Sequence, residues 1–206
     1  MQTQQIFTPA AIAAKQIISN KNGIIRTSEA LREGIHPRTL YALRNMGAIE
    51  RVSRGLYRLE DQKPISNIDI VTVAARFPRS VICLVSALAF HNITTQIPHT
   101  VSIALERGAE QPRIENPPIT IHRFSKDSLY AGIQEYIIDG IVVKIYSPEK
   151  TLADCFKFRN HLGMDVVLEA LRLYKVRKGF NIDELLKFAR ICRVEPVMKP
   201  YLEANL

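Results

Sequence analysis

Residues 34–59, with the sequence GIHPRTLYALRNMGAIERVSRGLYRL, restrict the fold of this chain more than any other segment. Pro37 favours the first turn of a helix, and Gly47 favours its end. The following AIERVSRGLYRL predicts two short strands joined at Ser53-Arg54-Gly55, where glycine supplies the positive φ of a three-residue hairpin loop. A short helix followed directly by a hairpin is therefore expected.

Two helices are predicted before this segment. The first has Thr8 as its N-cap, and the second lies in RTSEALREGI with Thr27 or Ser28 as cap and Gly34 as stop. The apolar stripe of the first helix consists of Ile12, Ile17 and Ile18. The order helix, helix, helix, hairpin is typical of a winged helix-turn-helix, whose third helix enters the major groove of DNA.

The third helix has one apolar and one polar face. At about 100° per residue, Leu40 and Leu43 fall on one side, whereas Arg38, Tyr41 and Asn45 fall together on the other. Arginine can contact guanine as a fork, asparagine can pair with adenine, and tyrosine can contact phosphate or a thymine methyl. A basic helix of a protein-binding domain is the simpler alternative for this face taken alone.

Further basic residues surround the proposed reading face. Arg44 is expected to clamp a phosphate, and Arg51, Arg54 and Arg58 place positive charge on the hairpin, which would be the wing. The predicted DNA contacts are Arg38, Thr39, Tyr41, Arg44, Asn45, Arg51, Arg54 and Arg58.

The charge of the whole chain favours an anionic partner. Its formal net charge is +8 with a pI near 9.5, and residues 1–62 hold nine Lys/Arg against five Asp/Glu. Nucleic acid is the commonest such partner, and a membrane surface competes with it. The N-terminus lacks the features of a signal peptide, and VICLVSALAF is about half as long as a bilayer requires. We expect a cytoplasmic protein that binds double-stranded DNA and no membrane.

The remainder of the chain predicts a mixed α/β domain with a small sheet and C-terminal helices. Strands are expected at residues 81–85, 100–105, 118–124 and 140–147. Helices are expected at 66–78, at 87–91 with Ser86 as cap, from Ser147 onward, and at 166–173, 183–189 and 196–203. Polar residues 60–67 resemble a linker. The fold class is therefore α+β, with a winged helix-turn-helix over 1–62 and a second domain over 63–206.

No cofactor or metal site is expected. Cys83, Cys155 and Cys192 lie far apart among apolar neighbours, as reduced thiols in a core would. The five histidines show no metal-ligand spacing.

A DNA-processing enzyme is an alternative function for a mixed domain. Some restriction-endonuclease-like folds combine a mixed sheet with helices, and they hold Mg²⁺ with an Asp and an Asp/Glu-x-Lys motif. In IDGIVVKI, Val142 stands where Lys144 would need a carboxylate, and Asp139 precedes Gly140 as a turn residue would. We therefore do not expect an enzyme.

The N-terminal third resembles AbiEi-type antitoxins, transcriptional regulators of type IV toxin–antitoxin and abortive-infection systems. The resemblance is carried by GIIRTSEALREGIHPRTLYALRNMGAIERVSRGLYRL. LVSALAFHNI and IDGIVVKIYSPEKTLADCFKFRN are similar to the C-terminal domain of that family, so the resemblance covers nearly the whole chain. Its most diagnostic part is the Ser-Pro-Glu-Lys-Thr-Leu-Ala-Asp run.

The resemblance implies both a partner and a regulatory role. The partner would be a nucleotidyltransferase-like toxin that is neutralised without a stable complex, and the winged helix would bind inverted repeats at its own promoter and repress transcription. Lys150, Asp154 and Lys157, on the outer side of the Ser147 helix, are the first candidates for antitoxicity, although a solvated face is the simpler interpretation. The alternative is a winged-helix regulator with a ligand-sensing C-terminal domain and no toxin partner.

Overall fold

The computed structural model describes residues 7–61 and 67–204, which fold into two compact units. The first unit comprises the described residues of Met1–Arg76 together with Ile137–Val142, and the second those of Phe77–Tyr136 and Val143–Leu206. Helices and two sheets confirm the α+β class. The predicted boundary between residues 62 and 63 lies outside the described residues.

The first unit contains the predicted helices and hairpin, and one strand more. Its elements are α1 (Pro9–Asn20), β1 (Ile24–Arg26), α2 (Thr27–Arg32), α3 (Pro37–Asn45), β2 (Ile49–Ser53), β3 (Leu56–Leu59) and α4 (Ile68–Arg76). An antiparallel sheet with the order β1-β3-β2 completes the winged helix-turn-helix. The sequence pattern does not predict β1, and the start of the helix expected at 66–78 lies outside the described residues.

The buried face of α1 differs from the prediction. The Thr8 hydroxyl accepts a hydrogen bond from the Ala11 N–H at 3.2 Å, which confirms the cap. Ala11, Ala14 and Ile18 are buried, but Ile12 is 59% exposed. Ile12 and Ile18 are six residues apart, or about 120° around the helix at about 100° per residue. Small alanines therefore share the core face with Ile18.

No side chain caps α2, so the predicted cap is wrong. The helix begins at Thr27 itself, and Arg26 before it makes no side-chain capping bond. The Thr27 N–H donates instead to the carbonyl of Gly55 at 2.8 Å. The alignment of β1 with β3 thus supplies the partner that a cap would otherwise provide.

The second sheet has the strand order β6-β5-β4-β8-β7. Its strands are β4 (Val81–Ile82), β5 (Val101–Glu106), β6 (Ile119–Phe124), β7 (Ile133–Ile138) and β8 (Ile141–Tyr146). β4 pairs antiparallel with β5 and parallel with β8, and β5 pairs parallel with β6. Asp139 and Gly140 both have positive φ between β7 and β8, which confirms the turn predicted there.

The helices after residue 76 are α5 (Leu84–Phe90), α6 (Lys126–Tyr130), α7 (Pro148–Lys157), α8 (Arg159–Leu162), α9 (Met164–Lys175), α10 (Ile182–Cys192) and α11 (Glu195–Glu203). The Ser147 hydroxyl accepts from the Lys150 N–H at 3.2 Å, which confirms the cap of α7. Leu152, Cys155 and Phe156 of α7 are fully buried.

The predicted strand over residues 81–85 is shorter than expected, because α5 begins at Leu84. Ser86 is therefore a residue within α5 and not its cap. Its hydroxyl accepts from the Ser102 N–H at 2.9 Å and donates to the Thr100 carbonyl at 3.3 Å. Ser86 thus joins α5 to the start of β5.

Lys150 and Asp154 form an ion pair inside the second unit. Both side chains are 0% exposed, and the Lys150 ammonium also lies 4.0 Å from the ring centroid of Tyr146. The Cys192 thiol donates to Asp154 at 3.2 Å. Burial raises the pKa of Asp154, and the neighbouring Lys150 opposes that rise.

The expectation that Lys150 and Asp154 lie on the outer side of their helix is therefore wrong. The physical reason is that α7 packs against α5, α9, α10 and α11, so that residues 150–156 are buried on every side. Lys157, at the end of the helix, is half-buried.

Removing one partner of this pair is expected to destabilise the protein strongly. Asp154→Ala leaves the Lys150 ammonium buried without its counter-ion, so we expect the free energy of unfolding to fall by about 3–5 kcal/mol. Urea denaturation measures it. The matched control is Glu203→Ala, which breaks the exposed Lys199–Glu203 pair of the same i,i+4 spacing and should cost less than about 1 kcal/mol. Equal losses in both variants would contradict the assigned role of the buried pair.

A second prediction concerns acid. His91 is buried, its Nε2 lies 2.7 Å from the Tyr146 carbonyl, and burial lowers its pKa. As pH falls below the unfolded-state pKa of about 6.5, the unfolded chain takes up a proton that the folded chain resists. Stability present above that pH is therefore lost as pH falls toward the folded pKa.

Urea denaturation at pH 7.5 and 5.5 measures this loss. His91→Gln keeps a donor near the carbonyl but cannot titrate, so its free energy of unfolding should depend less on pH than that of the wild type. The pH dependence that remains in this variant would come largely from His122, because burial lowers the pKa of His122 as well. The same pH dependence in both proteins would contradict the assignment to His91.

Candidate nucleic-acid interface

The turn into α3 depends on Gly34. This residue has φ +83°, and the next N–H, of Ile35, donates back to the Ala30 carbonyl of α2 at 2.8 Å. Such a left-handed position after a helix suits glycine, because a Cβ would be strained there. His36 then caps α3, since its Nδ1 accepts from the Arg38 N–H at 3.2 Å. The predicted glycine turn and proline start are confirmed.

Two leucines fix the rotation of α3 about its axis. Leu40 and Leu43 are 1% and 0% exposed, and α3 packs against α1 and β2. The helix ends where the Ala48 N–H donates to the Leu43 carbonyl at 2.9 Å. Since residues three apart share a helix face, burial of this pair turns the opposite face of α3 away from the core.

That opposite face carries the predicted reading residues. Arg38, Tyr41 and Asn45 are exposed, and half of Tyr41 (51%) is accessible. Ala42 beside them is also exposed and would permit close approach of a duplex. Thr39 is half-buried at the edge of the face. The structure thus brings the predicted residues of α3 onto one accessible surface.

Arg44 connects two of these residues. Its Nη2 donates to Oδ1 of Asn45 at 3.1 Å, and its guanidinium lies 5.5 Å from the ring centroid of Tyr41. To pair with adenine, Asn45 must use both the oxygen and the nitrogen of its amide. Arg44 therefore occupies the amide oxygen that such a pairing by Asn45 would need.

The wing consists of β2, β3 and the turn between them. Ser53 pairs with Leu56, so the loop is the two residues Arg54-Gly55, one fewer than predicted, and a register shift lies between Arg51 and Ser53. Gly55 has φ +79°, which confirms the reason for a glycine there. Arg51 and Arg54 are exposed, and the Arg51 Nε donates to the Ser53 carbonyl at 3.3 Å. These two arginines are available at the wing.

Arg58 lies apart from them. It stands opposite Glu50 in the β2–β3 register and forms an ion pair with it, and only 16% of its side chain is exposed. Because Glu50 pairs with Arg58, only Arg51 and Arg54 of the three arginines predicted for the wing are exposed.

Arg26 is a basic residue near the wing that the sequence pattern does not single out. It ends β1 and stands opposite Leu56 in the register, beside the Arg54-Gly55 turn. The only sequence feature that marks β1 is the short run Ile-Ile-Arg after Gly23. A run of three residues is too short for alternation of apolar and polar residues to identify a strand.

The second unit contains a cleft of about 720 Å³ that the sequence does not reveal. Histidines far apart in the chain, His99, His122 and His161, line it together with Arg123 and Phe158. His122 is half-buried with its ring 5.3 Å from that of Phe158, and burial lowers its pKa. A volume within the roughly 300–1,000 Å³ of ligand pockets makes this cleft a second candidate site.

Other expected features can be placed on the structure. The three cysteines are free and buried, as predicted. Within residues 7–61 and 67–204, no three His, Cys, Asp or Glu side chains are grouped as metal ligands would be. In the described part of the chain, no helix combines the length and the apolar character needed to cross a membrane.

The first unit is thus a winged helix-turn-helix of the DNA-binding class, with an accessible polar face on its third helix. Residues 13–60 match the family described as "Transcriptional regulator, AbiEi antitoxin". The resemblance noted in the sequence is thereby confirmed over this segment. The matched segment includes α2, α3 and the wing.

A solved structure with a similar fold is that of the RV2827C protein from Mycobacterium tuberculosis. The likeness covers 98% of this chain and 83% of the other, with a TM-score of 0.57 and 12% sequence identity. At this identity it concerns the fold alone. No curated protein matches the chain.

Proposed function

We propose that this protein is a DNA-binding autorepressor and the antitoxin of a type IV toxin–antitoxin system with a nucleotidyltransferase-like toxin. The observation that carries the proposal is the exposed face of Arg38, Tyr41 and Asn45 within a segment, residues 13–60, that matches AbiEi antitoxin regulators. The protein would act in the cytoplasm, without catalysis of its own, on inverted repeats in its own promoter.

In this proposal α3 reads bases and the surrounding arginines hold the backbone. Arg38 forms a fork with guanine, Asn45 pairs with adenine, and Tyr41 contacts a thymine methyl or a phosphate. Arg44 leaves Asn45 for a phosphate, while Arg51 and Arg54 place the wing on the backbone. Arg58 contributes only where the duplex displaces it from Glu50.

Neutralisation of the toxin is assigned to the second unit. Its support is the similarity of the α7 run to the C-terminal domain of AbiEi-type antitoxins. Lys150 and Asp154 are fully buried and would maintain the shape of that unit without touching a toxin. Lys157 is the one member of the predicted trio with partial exposure. A neutralisation that needs no stable complex is consistent with an indirect role for the buried pair.

The proposed DNA binding is tested with the promoter upstream of the gene. Arg38→Ala and Asn45→Ala should each weaken binding by about 1–3 kcal/mol, because each removes a base contact. Fluorescence anisotropy with a labelled promoter fragment at fixed salt measures the affinity.

The control is Arg107→Ala, which removes the same charge from an exposed arginine of the second unit. It should leave affinity nearly unchanged. Unaltered promoter affinity in both α3 variants would show that α3 is not the reading helix.

The antitoxin arm is tested by inducing the neighbouring gene with and without this protein. We expect growth arrest by a nucleotidyltransferase-like product and its rescue by the wild type. Arg38→Ala should still rescue growth while failing to repress a promoter reporter, because it alters only the DNA-binding face. Rescue lost together with repression would contradict the division of roles between the units.

A second candidate function is a regulator whose second unit senses a small ligand and has no toxin partner. The cleft lined by His99, His122 and His161 favours it. In that case the neighbouring gene would not be toxic, no rescue would be seen, and promoter affinity would change on addition of the ligand.

A further inference from the structure

A small cavity in the first unit lies beside the wing turn. Its volume is about 230 Å³. The residues that carry its chemistry come from β1, α2, the wing and the last residue of α4, and they are Arg26, Thr27, Ser28, Ser53, Arg54 and Arg76. The volume lies below the roughly 300–1,000 Å³ typical of pockets for whole small molecules. The cavity therefore suits a single chemical group.

The lining defines the charge of that group. Three arginines and three residues with hydroxyl groups line the cavity, and none of the described lining residues is acidic. Arginine presents a planar fork of donors that matches the oxygens of a phosphate. A tetrahedral anion is the group that such a lining would bind.

A hydrogen-bond donor without an acceptor also supports the binding of an anion in this cavity. Within the described residues, the buried Nε of Arg26 has no hydrogen-bond partner. Buried polar groups in native proteins nearly always have partners, so one without a partner calls for an explanation. An anion in the cavity would give the Arg26 guanidinium, after a side-chain rotation, the acceptor that it otherwise lacks.

The cavity is also pre-formed by the backbone. The Thr27 N–H donates to the Gly55 carbonyl at 2.8 Å, and Arg26 stands opposite Leu56 in the β1–β3 register. The hydrogen bond and the strand pairing together hold Thr27, the first residue of α2, against the wing turn. The position of an anion here would therefore be fixed relative to both.

We propose that this cavity holds one phosphate of the DNA backbone, with Arg26 and Arg54 as its charged donors and the neighbouring hydroxyl groups as further donors. This inference rests on the DNA-binding function proposed above and adds Arg26, which belongs neither to α3 nor to the wing. A phosphate held at this place would position the duplex, since phosphate contacts fix register and carry no sequence information. Arg76 borders the cavity and is not required as a donor.

Binding to a random-sequence duplex tests the proposal, because a phosphate contact is independent of sequence. We expect Arg26→Gln to weaken this binding roughly tenfold at fixed salt. It should also make the slope of log affinity against log salt less steep by about 1, measured between about 50 and 200 mM. Arg26→Lys, which keeps the charge but not the fork, should lose less. Arg107→Gln is the matched control for net charge and should change neither quantity appreciably.

A double variant tests whether the two arginines share one phosphate. Arg54→Gln should resemble Arg26→Gln, and the loss in Arg26→Gln/Arg54→Gln should be smaller than the product of the single losses. Circular dichroism shows whether Arg26→Gln folds. If it does not, Arg54→Gln replaces it in the test, because Arg54 lies in an exposed turn. Losses that multiply fully would mean that the two side chains contact separate groups, against the proposal.

The remaining outcomes separate this inference from the function on which it rests. If the wild type binds no duplex, the DNA-binding function fails. If the wild type binds and Arg38→Ala weakens promoter binding while Arg26→Gln changes neither affinity nor slope, only the phosphate site is wrong. Inorganic phosphate, titrated while the amide signals of Thr27 and Gly55 are followed by NMR, tests a free anion. Saturable phosphate binding that Arg26→Gln abolishes without affecting DNA would overturn the assignment to the DNA backbone.

Discussion

Burial of Leu40 and Leu43 is the constraint on which the exposed polar face of α3 depends. With both side chains almost completely buried in the first unit, α3 has one permitted rotation about its axis. A shift of one residue, about 100°, would turn Arg38 or Tyr41 toward the core, where an unpaired guanidinium or phenol is costly. The polar face is therefore a consequence of the packing of two leucines. The glycine turn and the capping imidazole of His36 determine only where the helix begins.

Charge has opposite roles in the two units. Around α3 and the wing, exposed arginines are held by weak surface contacts, such as that of Arg44 with Asn45, which a duplex can replace. In the second unit, Lys150 and Asp154 are fully buried with Cys192 and Tyr146 beside them. Such a pair contributes little net stability compared with an apolar replacement, yet removal of one partner is costly. It acts as a fixed internal contact and not as a surface for a partner.

The sequence predicts well those elements whose ends have a local cause. Pro37, Gly47 and Gly55 determine α3 and the wing through the backbone conformation of single residues. The remainder depends on contacts between distant segments: β1 exists because β3 pairs with it, and Ser86 lies inside α5 because β5 supplies its partners. The burial of Lys150 and Asp154 and the cleft formed by the three histidines follow from packing among many helices. A one-dimensional pattern of apolar and polar residues carries no record of such packing.

We propose that the exposed face of α3 reads bases in the major groove of the promoter. Methylation interference measures this directly, because dimethyl sulfate modifies N7 of guanine, which lies in that groove. The account predicts that methylation of a small set of guanines in each repeat blocks binding of the wild type. It also predicts that Arg38→Ala becomes insensitive to methylation of one guanine in each repeat. Binding that tolerates methylation of every promoter guanine, or an Arg38→Ala pattern identical to that of the wild type, would contradict the account.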